Sequence, residues 1–138
     1  MSDKITGGCL CGTVTYHIDE DPIMGIHCHC TDCQKSTGAG HASVTFFPRA
    51  AFHVNGDVKS YSSQADSGNT ITRCFCPECG SSLYGYTENN PDGIGIMAGT
   101  LHDPNVFTPN VIVYDSRAPK WDVMNNDLPR FPEMPPKE

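Results

Sequence analysis

Positive charge is scarce in this chain. Nine lysines and arginines stand against 16 aspartates and glutamates in 138 residues, a formal charge of −7. A surface of that sign repels phosphate backbones and anionic headgroups, which argues against nucleic acid and membrane as partners. Long apolar runs are also missing. No stretch approaches the ~20 residues that a spanning helix needs, and the opening MSDKITGG lacks the apolar run of a signal peptide. The expectation is a cytoplasmic protein whose thiols stay reduced.

Glycine (13) and proline (11) are plentiful, which favours short strands and many turns over long helices. Thr13–Ile18 alternates, with Val14, Tyr16 and Ile18 on one face. Ala42–Phe47, Ala51–Val54, Thr70–Phe75, Leu83–Tyr86, Ile94–Ala98 and Asn110–Tyr114 also read as strands. Turn signals punctuate them: NGD at 55–57, ENNPDG at 88–93 and HDPN at 102–105. One short helix fits Thr31–Thr37, with Thr31 as its cap and Gly38 as its stop. A further turn or two is expected near Trp121–Asn126, and the tail FPEMPPKE reads as extended or frayed. The fold class is therefore all-β with little helix, as a single domain over 1–138 with its core at about 7–132.

All eight cysteines fall in three knots: CLC at 9–11, CHCTDC at 28–33 and CFCPEC at 74–79. Disulfide frameworks spread cysteines along the chain and are rare in reducing compartments. These spacings chelate instead. A structural zinc ion takes four protein ligands, whereas a catalytic one takes three and keeps a position open. On a strand, C-x-C places both sulfurs on one side. Cys76 and Cys79 flank a tight turn whose geometry Gly80 permits. Cys9, Cys11, Cys76 and Cys79 thus form a closed structural zinc site.

Cys28, Cys30 and Cys33 offer three ligands in six residues, the third on the first helical turn where free N–H groups favour a thiolate. This is an open, catalytic site by ligand count, unless Cys74 completes it. Cys74 reads either as a buried core thiol or as that fourth ligand. His27 and His29 read as hydrogen-bonded structural histidines or as contacts to the ligands or a substrate. Lys35, Arg49 and Arg73 are candidate anion contacts, with a solvated surface charge as the favoured alternative for each. His41, Phe46, Phe47 and Trp121 are candidate pocket residues, with the core as the alternative for the phenylalanines. Thr37–Gly40 is either a close backbone approach to a ligand or a plain turn.

GGCLCGTVTY, CHCTDCQKSTG and RCFCPECGSSLY, in that order, resemble the glutathione-dependent formaldehyde-activating enzymes. AGTLHDP and DLPRFP extend the likeness from about Gly7 to Pro132. The resemblance implies short, strongly curved antiparallel sheets, as in a Rab-binding zinc protein. It implies two zinc ions per chain, a structural one on Cys9, Cys11, Cys76 and Cys79 and a catalytic one on Cys28, Cys30 and Cys33. The implied activity is that of a carbon–sulfur lyase, the reversible addition of glutathione to formaldehyde, with a small thiol and an aldehyde as partners. His102–Asp103 departs from the family's usual Asp-Asp, and Cys74 is not a position associated with it. The competing readings are a non-catalytic zinc-stabilised binding module, since centromere protein V carries a similar domain, and a metal- or thiol-sensing protein.

Overall fold

The computed structural model describes residues 4–124 and 127–136. In chain order the strands are β1 (Ile5–Gly8), β2 (Thr15–Ile18), β3 (Met24–Cys28), β4 (Ala42–Pro48), β5 (Phe52–Asn55), β6 (Lys59–Gln64), β7 (Thr70–Phe75), β8 (Ser82–Thr87), β9 (Gly93–Met97) and β10 (Val111–Val113); the helix α1 (Thr31–Thr37) follows β3. Short 3₁₀ turns, such as Pro104–Val106 in the expected HDPN turn, fill several connections.

Two sheets result. β1, β2 and β5 form a three-stranded antiparallel sheet, and the other seven run in the order β10-β3-β4-β9-β8-β7-β6. The alternation in β2 holds: Val14, Tyr16 and Ile18 are all buried. They meet Phe47, Leu83, Ile94 and Ile96 of the larger sheet in one core cluster. β1, β3 and β6 were not expected. The first two carry glycines, which weaken a strand pattern. β6 is a polar edge strand, mostly exposed, with no apolar face to alternate.

Two expectations of shape are corrected. The large sheet is mixed, because β10 pairs parallel with β3, and no sheet is strongly curled. At the tail the extended alternative holds at its start. The Ile112 amide donates to Pro129 O and the Phe131 amide to Ile112 O, so residues 129–131 lie along β10 rather than fraying. Proline lacks a donor but keeps its carbonyl, which lets this segment accept from the strand edge. Trp121 lies in a turn as expected, whereas residues 125–126 of that stretch fall outside the described residues. Among the described residues, no helix is long and apolar enough to cross a membrane.

Candidate metal centre

The first cluster is built from two turns. Cys9 and Cys11 sit in the turn after β1, not on a strand, and the Cys9–Cys11 Sγ separation is 3.6 Å. Cys76 and Cys79 bracket the turn after β7, where Gly80 takes φ 78° and its amide donates to Cys76 O at 2.9 Å. Cys11 Sγ lies 3.8 Å from Cys76 Sγ, and the four sulfurs all lie within 4.8 Å of one another. Sulfurs at the corners of a tetrahedron with ~2.3 Å zinc–sulfur bonds stand about 3.8 Å apart, so this donor set fits a zinc ion. Amides support the thiolates: Val14 N–H points at Cys9 Sγ (3.3 Å) and Cys79 N–H at Cys76 Sγ (3.5 Å). The Ser81 hydroxyl, 3.2 Å from Cys79 Sγ, holds that thiol down at about 5, and the Val14 amide lowers Cys9.

The second cluster lies where β3 runs into α1. Cys28 closes the strand. Cys30, rather than the expected Thr31, caps the helix, its sulfur accepting the Cys33 amide at 3.3 Å. A thiolate does here what Ser or Asp does at other helix starts. Gly38 ends the helix in the left-handed conformation, as expected. The three sulfurs lie within 4.8 Å of one another. Without a metal, Cys30 carries the charge. Thiol hydrogen bonds from Cys28 and then Cys33 hold its pKa down at about 2, with the Arg73 guanidinium adding to the pull. The charged Cys30 in turn pushes Cys28 up to about 11. Three soft donors in this compass also fit zinc.

Cys74 joins neither cluster. It is 5% exposed inside the core cluster, and burial raises its pKa. The strand register shifts between Cys74 and Phe75, a bulge that breaks the regular alternation with Cys76.

His27 and His29 flank the second cluster's cysteines in sequence. His27 Nδ1 meets Ser43 Oγ at 2.9 Å, and burial pushes its pKa down to about 4. His29, fully buried, donates from Nδ1 to Gly40 O at 2.8 Å, and its Nε2 has no partner among the described residues. Both are hydrogen-bonded as expected. His41 donates from Nδ1 to Asp122 Oδ2 at 2.6 Å, and that carboxylate is 12% exposed. The absence of a side chain at Gly40 makes room for this approach, since an added Cβ would collide with the Asp122 carboxylate as it stands. The TGAG stretch therefore brings backbone close to a carboxylate of the chain itself, not to a ligand. His41 lines an open cavity of about 370 Å³ with Ser36 and Thr37 of α1, Ser43, Ser82 and Thr100.

Of the expected cations, Arg73 faces the cysteine trio, Arg49 lies over the Tyr86 ring at 4.0 Å, and Lys35 is exposed on α1. Phe47 is core, Phe46 is half-buried, and Trp121 is 72% exposed and lines no cavity described here.

Sequence reasoning missed Asp122 and Tyr114, and neither carries a local signal. Tyr114 adopts φ 54°, the only non-glycine positive φ among the described residues, a conformation that strains a side-chain-bearing residue by about 1–2 kcal/mol. Burial raises its pKa, with a further upward push from the charge on Cys30. Arg117 lies 5.2 Å above that ring and pairs with Asp66 at 2.6 Å.

A solved structure of a Rhodobacter sphaeroides protein shares the fold, with a TM-score of 0.57 at 18% identity. It covers 71% of this chain and 88% of its own. The family model for glutathione-dependent formaldehyde-activating enzyme matches residues 4–117, which take in all eight cysteines. On that match the chain belongs to the glutathione-dependent formaldehyde-activating enzyme family.

Proposed function

We propose that this protein is a zinc-dependent carbon–sulfur lyase that reversibly adds glutathione, or a similar thiol, to formaldehyde or another small aldehyde. Residues 1–138 act as one domain. Cys9, Cys11, Cys76 and Cys79 hold a structural zinc ion. Cys28, Cys30 and Cys33 hold a second, catalytic one. The observation that carries the reading is the unequal sulfur count: four donors gather in one cluster, three in the other, and the spare thiol of Cys74 is sealed in the core.

A zinc ion held by three thiolates supplies a position where an incoming thiolate can be bound and its pKa lowered. The chain's own residues do the rest. Arg73 places positive charge beside the trio in an otherwise acidic protein, which suits an anionic thiol such as glutathione. The open cavity beside α1, which His41 lines, receives the aldehyde, so proximity provides much of the gain. In the addition, a carbon–sulfur bond forms and the carbonyl π pair moves onto oxygen. The proton lost by the thiol ends on that oxygen, and no oxidation occurs. His41 is the proton carrier. Asp122 fixes its Nδ1–H, which leaves Nε2 as the base that takes the thiol proton and returns it to the hydroxymethyl oxygen.

The test is exchange spectroscopy of formaldehyde with glutathione, with and without zinc-loaded protein. The protein is expected to accelerate interconversion with S-hydroxymethylglutathione beyond the spontaneous rate. Cys30→Ala should lose the acceleration and one zinc ion while keeping the fold. Asp122→Asn should lower kcat by about 10²-fold with little change in KM. If the zinc-loaded protein leaves the exchange rate at its spontaneous value, the lyase reading fails.

A further inference from the structure

A second set of ligating side chains lies on the three-stranded sheet, away from the cysteine clusters. His17 of β2 and His53 of β5 are direct register partners, so both imidazoles stand on one face. Their rings stack with centroids 4.8 Å apart. Asp19, two residues beyond His17, reaches the same face. Its Oδ2 lies 2.9 Å from His53 Nε2 and its Oδ1 4.0 Å from His17 Nε2. The three ligand atoms lie within 4.8 Å of one another.

The row continues across the sheet. Thr6 of β1 is the register partner of His17, and Thr6 Oγ1 meets His102 Nδ1 at 2.9 Å. His102, Thr6, His17 and His53 together border an open depression of about 360 Å³. Lys4, exposed, stands 4.0 Å from Asp19 Oδ1.

We propose that His17, Asp19 and His53 form a binding site for a divalent cation of the zinc, nickel or copper class, with its open coordination positions facing the depression beside His102. Two imidazoles and one carboxylate suit these borderline metals. Calcium and magnesium prefer an all-oxygen shell, which this face does not provide. Three protein donors, two on paired strands and one just past the end of β2, leave the remaining positions to water or an anionic ligand. The side chains already stand together without a metal, so binding orders little that is not already ordered. The site is independent of the lyase reading, because none of its residues contributes to the cysteine clusters or to the His41–Asp122 pair.

The experiment uses protein whose cysteine clusters are already loaded with zinc, titrated with further zinc chloride. Calorimetry reads the stoichiometry, and NMR of the histidine side chains reads the location. One additional equivalent is expected, with the His17 and His53 rings shifting and the His27, His29 and His41 rings unmoved. His53→Ala and Asp19→Asn should each weaken that equivalent by about tenfold or more. These side chains lie on the surface, so the substitutions leave the core intact. Absence of a further equivalent overturns the proposal. So does a further equivalent that leaves the His17 and His53 rings unshifted, or one that survives the double substitution His17→Ala/His53→Ala.

Discussion

Cys11→Ala is the cleanest perturbation of the four-sulfur cluster. Cys76 is fully buried, so truncating it would also open a cavity, whereas Cys11 is exposed and its loss reports the metal alone. The cluster ties the turn after β1 to the turn after β7, across a sequence separation of 65 residues between Cys11 and Cys76. Closing a loop of that length removes roughly 4 kcal/mol of entropy from the unfolded chain, on the cross-link model. That is a large share of the 5–15 kcal/mol typical of a domain. With urea m-values of about 1–3 kcal/mol/M, Cys11→Ala should lower the unfolding midpoint by roughly 1–4 M at saturating zinc. Metal content should fall by one ion per chain. Cys74→Ala serves as the contrast: it should lose about 1 kcal/mol by leaving a small void, and keep its metal. A Cys11→Ala protein within about 0.5 kcal/mol of the parent, with undiminished zinc, would refute the assignment of that cluster as a metal-dependent fastener.

Two other outcomes follow from the buried polar groups. His27 is held neutral down to about 4 by burial, whereas in the unfolded chain it protonates near 6.5. Below 6.5 the unfolded state therefore binds the extra proton, and stability should decline as pH falls from 6.5 towards 4; a urea series on the parent and His27→Gln should show a difference that changes across that window, and a flat difference would exclude His27 as the source. Thr45 is fully buried on β4 with its hydroxyl unpaired among the described residues, so Thr45→Val should stabilise by about 1 kcal/mol; a destabilised variant in chemical denaturation would mean the hydroxyl has a partner.

The arrangement of charge fits a small anionic substrate better than a large one. The net charge is −7, yet Arg73 lies close to the cysteine trio. A local positive spot in an acidic molecule attracts a tripeptide but repels a polyanion.

The sequence alone determined which sulfurs gather locally. Cys28, Cys30 and Cys33 fall within one β-to-helix corner, and Cys76 and Cys79 within one turn, so a few local dihedrals bring them together whatever the rest of the chain does. Val14, Tyr16 and Ile18 were legible for the same reason, because a period of two is local. The period failed at Cys9 and Cys11, which meet in a turn, and at Cys74, where the bulge re-aims the chain. Other features depended on contacts between distant residues. His41 meets Asp122 across 81 positions, Arg117 meets Asp66 between separate loops, and His17 meets His53 only because β2 and β5 pair. Tyr114 reads as the end of an ordinary strand, and its left-handed backbone is imposed by packing. Such contacts have no local signal, since the free energy that selects them comes from burial and pairing in the assembled sheets, and only the tertiary structure could decide them.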